Sequence, residues 1–191
     1  MNPSTSSSLR IDLREHAVHL LITAAPMAHM AAHEARIVVN AMKPLHLLPD
    51  TLLFEEGDAA GSDYMALVLE GQVRVVSAAS VPGAEVVISV VGPGSLIGEM
   101  GVIDGAPRSA SCTTLTEVKL GILSRAALLE LVGTRPVVAA RLMLGLCKGM
   151  ADRLRDSNRR LRTLSQVSRA LQSELDAVHA VNHRLLNAQG S

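Results

Sequence analysis

The residues with the clearest chemistry lie at positions 94–110, where an acid, an arginine and several glycines fall within one short segment. Arg108 carries a planar guanidinium whose donors match phosphate oxygens, and Glu99 carries acceptors for a hydroxyl group. Gly98 and Gly101 allow backbone N–H groups to approach an anion, and a short helix starting near Gly98 would direct its N-terminus at that charge. The segment therefore predicts a site for a small ligand that carries both a phosphate and a sugar hydroxyl.

The same segment closely resembles the phosphate-binding cassette of cyclic nucleotide-binding domains, in particular those of the bacterial cAMP-receptor-protein type. That cassette reads Gly-x-x-x-Gly-Glu-(Leu/Met), a short spacer and Arg-(Ser/Thr)-Ala. The matching positions are Gly94, Gly98, Glu99, Met100, Arg108, Ser109 and Ala110. The resemblance implies that Glu99 holds the ribose 2′-hydroxyl and that Arg108, Ser109 and the Gly98 region hold the cyclic phosphate. The alternative is a structural ion pair between Glu99 and Arg108, which would leave the glycines and Ser109 without a role.

The resemblance also implies an apolar pocket for the base and a C-terminal helix that closes over it. Val75 and Ile88 are the side chains that we expect to line this pocket. On the helix, we expect Arg153 to reach the phosphate or the pocket acid, and Ser157 and Asn158 to hydrogen-bond the purine edge. The alternative for these three is a solvated basic helix face that tolerates a polar residue.

The expected ligand is cAMP. Because Ser109 also suits a syn guanine and Arg153 a guanine edge, cGMP is an alternative, and some members of the family bind cyclic dinucleotides such as cyclic di-GMP. A second class of hypothesis is a ligand-independent coiled-coil adaptor whose roll has become a scaffold. A third, a nucleic-acid-binding regulator, depends only on the five arginines between residues 153 and 162.

The composition fits one domain with an extension and an aliphatic core. The 191 residues are 48% hydrophobic, yet they include one Phe, one Tyr and no Trp. So few aromatic side chains argue against stacking on single-stranded nucleic acid. Cys112 and Cys147 lack metal-type spacing and indicate a reduced, cytoplasmic setting. We expect neither a signal peptide nor a membrane-spanning segment.

Metal and catalytic sites are not expected. His29 and His33 are four residues apart, but no third ligand is evident, so they are interpreted as surface histidines. All seven histidines lie outside residues 47–175, which argues against a metal-centred enzyme inside a barrel. Ser109 has no histidine near it in sequence to act as its base.

Short strands between two helical regions must position the candidate residues. Helices are predicted at residues 9–25 and 27–42, and strands at residues 45–48, 51–54, 64–70, 72–77, 85–91, 111–115 and 118–123. Ser124 is the predicted N-cap of a helix at 125–132, and Thr134 that of a long helix with Pro136 in its first turn. The predicted fold is α+β, an antiparallel, jelly-roll-like β-roll with N-terminal helices and a long C-terminal dimerisation helix.

Three regions follow from this pattern: an N-terminal extension with a helix at 1–25, the nucleotide-binding β-roll at 26–133 and the long helix at 134–191. The last region carries ten Lys/Arg and four Asp/Glu, a balance of +6, whereas the rest carries −6. The long helix at 134–191 also has a heptad repeat, which places two sets of residues on one seam. They are Ala140, Cys147, Leu154, Leu161, Ser168, Leu175 and Asn182, with Met143, Met150, Ser157, Leu164, Leu171, Val178 and Leu185.

The seam predicts a parallel two-stranded coiled coil, hence a homodimer, with Asn182 fixing its register. The alternative is a single helix folded back on the roll, with a bend at Gly145 or Gly149. We expect no winged helix-turn-helix motif after this helix. We therefore expect the protein to signal to an unidentified partner protein and not to recognise a DNA sequence.

Overall fold

A computed structural model of the chain describes residues 3–59, 63–78 and 85–189. The helical elements are α1 (Pro3–Thr23), a 3-10 turn (Ala25–Met27), α2 (Ala32–Asn40), α3 (Glu99–Asp104), α4 (Arg125–Thr134) and α5 (Pro136–Gln189). The strands are β1 (Lys43–Leu47), β2 (Leu52–Phe54), β3 (Tyr64–Glu70), β4 (Val73–Ala78), β5 (Glu85–Val91), β6 (Leu96–Ile97), β7 (Ser111–Thr114) and β8 (Val118–Ser124). The element order therefore confirms the predicted α+β class.

The strands form two four-stranded antiparallel sheets with the orders β1-β8-β3-β6 and β2-β7-β4-β5. All seven predicted strands are present with small shifts at their ends, and β6 is an additional two-residue strand that pairs with Ala66 and Leu67. The side chains of strand β3 alternate between two apolar clusters, so the strand packs against the other sheet on one face and against helices on the other face. Ala66 and Val68 face the cluster that joins both sheets, whereas Met65, Leu67 and Leu69 face the helices.

The N-terminal helices differ from the predicted pattern. The predicted helix at 27–42 is wrong in its first third, because α2 begins only at Ala32, after the 3-10 turn. A carboxylate explains this start: Glu34 accepts the backbone N–H of Ala31 at 2.9 Å and so satisfies a donor at the helix N-terminus.

The two helices after β8 begin differently: α4 has a side-chain N-cap, and α5 begins with a proline. Ser124 accepts the N–H of Ala127 at 3.2 Å, which confirms it as the N-cap of α4. Thr134, the predicted cap of the long helix, is instead the last residue of α4, and its hydroxyl donates to the Glu130 carbonyl at 2.8 Å. Pro136 is the first residue of α5, where its missing N–H costs no intrahelical bond.

The chain divides into two compact units, Met1–Cys147 and Lys148–Ser191. The division falls inside α5, which is continuous through Gly145 and Gly149. In the first unit, Leu142 and Leu146 are buried in the same apolar cluster as residues of α1, α2 and α4. In the second unit, every residue from 152 to 176 is exposed. No helix among the described residues is long and apolar enough to cross a bilayer.

Candidate functional site

The glycine-rich segment folds as a strand, a tight turn and a short helix. Strand β6 is followed by Gly98 in the left-handed region, with φ +73°, and α3 then begins at Glu99. Gly105, with φ +72°, ends the helix, and its N–H donates to the Gly101 carbonyl at 3.0 Å. The short helix predicted to start near Gly98 is therefore confirmed.

The acid of the segment is deeply buried. Glu99 is 2% exposed, at the first position of α3. Its charge acts on Cys112, the second residue of β7. Burial raises the pKa of the Cys112 thiol to about 11, Arg108 opposes that rise and Glu99 adds to it. The three side chains are thus within electrostatic reach of each other, and Cys112 remains a neutral thiol at pH 7.

Arg108 is also buried, at 4% exposure, and main-chain carbonyls hold its guanidinium. Nη1 donates to the Gly98 oxygen and Nη2 to the Tyr64 oxygen, each at 2.8 Å. Its carbon Cζ lies over two rings, 3.7 Å from the Phe54 centroid and 5.1 Å from the Tyr64 centroid. Burial lowers the pKa of Arg108, but a guanidinium stays protonated, so the site keeps a fixed positive charge.

The two rings around Arg108 are the one Phe and the one Tyr of the sequence. Their centroids are 5.2 Å apart with an interplanar angle of 43°, an ordinary geometry for an aromatic pair. Cation–π attraction therefore offsets part of the cost of removing the guanidinium from water. The sequence analysis did not identify Phe54, Tyr64 or Cys112 as site residues. Their rarity was visible, but their contact with Arg108 depends on strand pairing.

Both the space around residue 98 and its backbone conformation require a glycine at this position. A Cβ atom at this position would lie 2.6 Å from Nη1 of Arg108 and 2.7 Å from the Phe54 ring. Its φ is also one that L-residues rarely adopt. Gly98 is thus the point at which the turn, the arginine and the aromatic ring fit together.

The remaining cassette residues lie closer to the surface. Ser109 is exposed, and its Oγ lies 3.7 Å from the sulfur of Met100, which is 46% exposed. Ala110 is half-buried and leads into β7. The structure therefore brings Gly98, Glu99 and Arg108 together in its interior and places Met100 and Ser109 side by side at the surface.

The two residues predicted to line the base pocket differ in their surroundings. Val75 on β4 packs against the apolar cluster that joins the two sheets. Ile88 lies at a register shift between β4 and β5, where Ser89 pairs with Val75 and Val87 pairs with Val76. Ile88 is 43% exposed, and its contact with a base stays a prediction.

Arg153, Ser157 and Asn158 belong to the second unit, where all three are exposed. Their spacing places Arg153 and Ser157 one helical turn apart, with Asn158 following directly. Their predicted contacts with a ligand stay predictions.

The first residue of the histidine pair, His29, contacts α5. In the part of the chain that the structure describes, no three or more His, Cys, Asp or Glu residues are grouped to hold a metal ion. The His29 ring nitrogen Nε2 lies 2.8 Å from the Arg141 carbonyl oxygen of α5. This ring therefore joins the 3-10 turn region to α5 within the first unit.

Comparisons with known proteins relate the roll to a family of domains. Residues 44–135 match the family profile of the cyclic nucleotide-binding domain. Over 127 residues the chain is 29% identical to the CRP-like cAMP-activated global transcriptional regulator of Mycobacterium tuberculosis, a match that covers 66% of this chain and 54% of the relative. Over 113 residues it is 35% identical to the cyclic AMP receptor protein of Thermus thermophilus, with coverages of 59% and 49%. The chain thus spans about half the length of these curated relatives.

A solved structure extends the similarity to most of a comparable chain. The crystal structure of a cyclic nucleotide-binding domain from Methylobacillus flagellatus superimposes with a TM-score of 0.69 at 31% identity. The match covers 77% of this chain and 81% of that one. The chain therefore shares its fold with this domain and is related to it in sequence.

Proposed function

The chain belongs to the family of cyclic nucleotide-binding domains, with relatives of the cAMP-receptor-protein type, and we propose that it is a sensor whose ligand is cAMP. The observation that carries the proposal is the burial of Glu99 and Arg108 next to Gly98. The segment thus holds a carboxylate and a guanidinium in the interior, one at the start of α3 and one just after it. A ribose hydroxyl and a cyclic phosphate match the hydrogen-bonding capacity of these two groups.

In this proposal each cassette residue has one role. Glu99 accepts a hydrogen bond from the ribose 2′-hydroxyl, and Arg108 neutralises the cyclic phosphate. Ser109 donates its hydroxyl to the phosphate, with backbone donors near Gly98 beside it. Met100 and Ala110 form the wall around these groups, as expected from their places on either side of the turn.

The base would lie against apolar side chains, with Val75 and Ile88 as the proposed contacts. Arg153, Ser157 and Asn158 would complete the site from the helix by reading the phosphate side and the purine edge. cAMP is preferred to cGMP because the two curated relatives named above are described as responding to cAMP. This assignment of the nucleotide is separate from the assignment of the pocket.

A shared apolar cluster supports a route from the cassette to α5. Val102 of α3 is 2% exposed and belongs to the same cluster as Leu142 and Leu146 of α5. Glu34 of α2 also binds Arg141 of α5, with Oε2 2.6 Å from Nη1. A ligand that prefers one position of α3 would therefore bias the packing of α5, with a coupling of about 1–3 kcal/mol in typical cases.

The proposed output is a homodimeric coiled coil formed by the second unit. Its described seam residues Leu154, Leu161, Leu164, Leu171 and Leu175 are each more than half exposed. A row of leucines at heptad spacing gains most by packing against a second copy of the same row. The pair of helices would then present a ligand-dependent surface to a partner protein, with no catalytic activity and no metal in the proposal.

Two features support the proposed cytoplasmic setting. Cys112 and Cys147 are both free thiols, one buried and one exposed. Free thiols are the usual state of cysteine in a reducing compartment.

Calorimetric titration of the full chain with cAMP, cGMP and cyclic di-GMP, each alone, tests the proposal. We expect one cAMP per protomer at micromolar affinity or tighter. Stronger binding of cGMP or cyclic di-GMP would keep the pocket and change its ligand. The absence of binding to all three would contradict the sensor and favour the ligand-independent coiled-coil adaptor.

A further inference from the structure

A cavity lies between helix α1, the end of α2 and the sheet that contains β3 and β8. Its volume is about 260 Å³. Its apolar lining includes Ala17, Val39, Met42, Leu69 and Leu120. Among the described residues that line it, Arg14 is the one charged residue. The cavity, called here the N-terminal cleft, is thus a largely apolar hollow with Arg14 in its lining.

The N-terminal cleft is separate from the candidate nucleotide site. None of the residues that line it belongs to segment 94–110. Two of its walls come from α1 and α2, which contribute no residue to the proposed nucleotide contacts. Anything that binds in the cleft would therefore leave Glu99 and Arg108 available to their own ligand.

The size of the cleft is that of a small ligand. Protein interiors contain few voids larger than a water molecule, which occupies about 30 Å³ in the liquid. At 260 Å³ the cleft is several times larger and lies just below the range of about 300–1,000 Å³ that is usual for small-molecule pockets. Its occupant should have a short apolar body.

A glycine maintains space at the floor of the cleft. Gly121 lies inside β8, and its φ falls outside the left-handed region, so the backbone itself does not require a glycine. A Cβ there would lie 3.0 Å from the sulfur of Met42 and would force that side chain to move. A glycine inside a strand commonly marks such a close approach. Gly121 thus lets Met42 remain in the wall of the cleft.

Arg14 supplies the polar end of the site. It is exposed, and within the residues that the structure describes its side chain makes no ion pair or hydrogen bond. Its neighbour Glu15 is already held by Arg36 through two bonds of 3.0 and 2.8 Å. The guanidinium of Arg14 can therefore pair with an anion at this cleft, and it suits a carboxylate best in a two-bond geometry.

We propose that the N-terminal cleft binds a small amphipathic carboxylate about the size of octanoate. Its chain packs against the apolar walls, and its carboxylate pairs with Arg14. Because α1, α2 and the sheet all line the cleft, the bound molecule joins the two helices to the roll. Its effect is to stabilise the first unit in proportion to its occupancy.

Titration of the ¹⁵N-labelled full chain with octanoate, followed by ¹H–¹⁵N NMR, tests this site. We expect saturable shifts at the amides of Ala17, Val39 and Leu69. Octan-1-ol and octylamine, with the same chain and no carboxylate, should bind about tenfold more weakly. Arg14→Gln should weaken octanoate binding about tenfold and leave octan-1-ol binding unchanged.

Arg162→Gln is the matched control, because Arg162 is exposed on the second unit and should leave octanoate binding unchanged. The absence of saturable shifts at the cleft residues would overturn the proposal. So would an unchanged octanoate affinity in Arg14→Gln, or shifts confined to residues 98–110. A parallel titration with cAMP keeps the two sites apart, because Arg14→Gln should not change cAMP affinity.

Discussion

Arg108 and Gly98 fit each other at two points. The guanidinium nitrogen Nη1 donates to the Gly98 carbonyl at 2.8 Å, and the same nitrogen lies 2.6 Å from where a Cβ of residue 98 would be. The arginine is therefore held by the backbone of a residue whose lack of a side chain makes room for it. This relationship means that residue 98 controls the position of the charge at the site.

Substituting Gly98 should disturb both folding and binding. In Gly98→Ala the left-handed φ and the overlap with Arg108 and Phe54 should together lower the free energy of unfolding by about 2 kcal/mol or more. We also expect cAMP affinity to fall at least tenfold. Urea unfolding and calorimetry measure the two effects.

Gly133→Ala provides the matched control. Gly133 lies in α4, and no atom lies within 4 Å of its added Cβ. This variant should raise the free energy of unfolding by about 0.5–1 kcal/mol, because alanine loses less backbone freedom in a helix. Similar losses in both variants would contradict the role given to Gly98.

Changing Arg108 should separate ligand binding from assembly. Arg108→Lys keeps the charge but loses the planar fork, so we expect cAMP affinity to fall about a hundredfold. Arg108→Ala should abolish binding. Analytical ultracentrifugation should still find a dimer in both variants, because Arg108 belongs to the first unit and the exposed leucines of the seam, from Leu154 to Leu175, belong to the second. Unchanged affinity in Arg108→Ala would show that the proposed pocket is wrong.

Phe54 should contribute to binding through the orientation of Arg108. Phe54→Leu removes the ring that lies 3.7 Å from Cζ and should lower the free energy of unfolding by about 1–3 kcal/mol. It should also weaken cAMP binding several-fold. Val118→Ala, in the same apolar cluster, should cost similar stability and leave affinity unchanged. Equal affinity losses in the two variants would assign Phe54 a purely structural role.

Acidification should loosen the contact between α2 and α5. The pKa of Glu34 lies below its ordinary value of 4.5, first because it accepts the Ala31 N–H and also because Arg141 and His33 lie near it. A depressed carboxyl pKa adds stability above pH 4.5, and this contribution is lost as the pH falls through the lower folded-state pKa. Glu34→Gln should therefore make urea stability less dependent on pH below 4.5.

Glu15→Gln is the comparison for this pH effect. The pKa of Glu15 is also lowered, chiefly by its bond from Arg36, but both side chains are about half exposed, where salt weakens such pairs. At high salt we expect the Glu34 effect to persist more than the Glu15 effect. The reverse order would argue against a special role for the α2–α5 contact.

Dimerisation should depend on one face of the second unit. Leu161→Asp places a charge on the leucine seam and should weaken the dimer by about a hundredfold or more, since two leucines leave the interface. Arg162→Asp, one residue further along the helix, should leave the dimer unchanged. Sedimentation equilibrium distinguishes the two outcomes, and equal association of both variants would contradict the coiled coil.

The sequence predicted those features that local rules determine. The seven strands follow from short apolar runs bounded by Gly, Pro and Asp turns, and the helix after Gly98 follows from cassette spacing. Ser124 was found because an N-cap acts within three residues. Glu99 and Arg108 were found for a similar reason, since the motif that identifies them lies within the short segment 94–110.

Other features depend on contacts between distant residues and could not be read locally. Strand β6 has only two residues and exists through its pairing with β3. The contacts of Arg108 reach Tyr64, 44 positions away, and Phe54 on another strand. The late start of α2 depends on Glu34, whose partners include Arg141 at a separation of 107 positions. Tertiary contacts decided each of these cases.

The ring pair beside Arg108 also gives the protein a built-in optical reporter. With no Trp and a single Tyr in the sequence, its ultraviolet emission comes almost entirely from Tyr64. That ring is half-buried, and its centroid lies 5.1 Å from the guanidinium carbon of Arg108. A shift of this charge would change the surroundings of the one emitting group. Events at the pocket can therefore be followed by intrinsic fluorescence without a label.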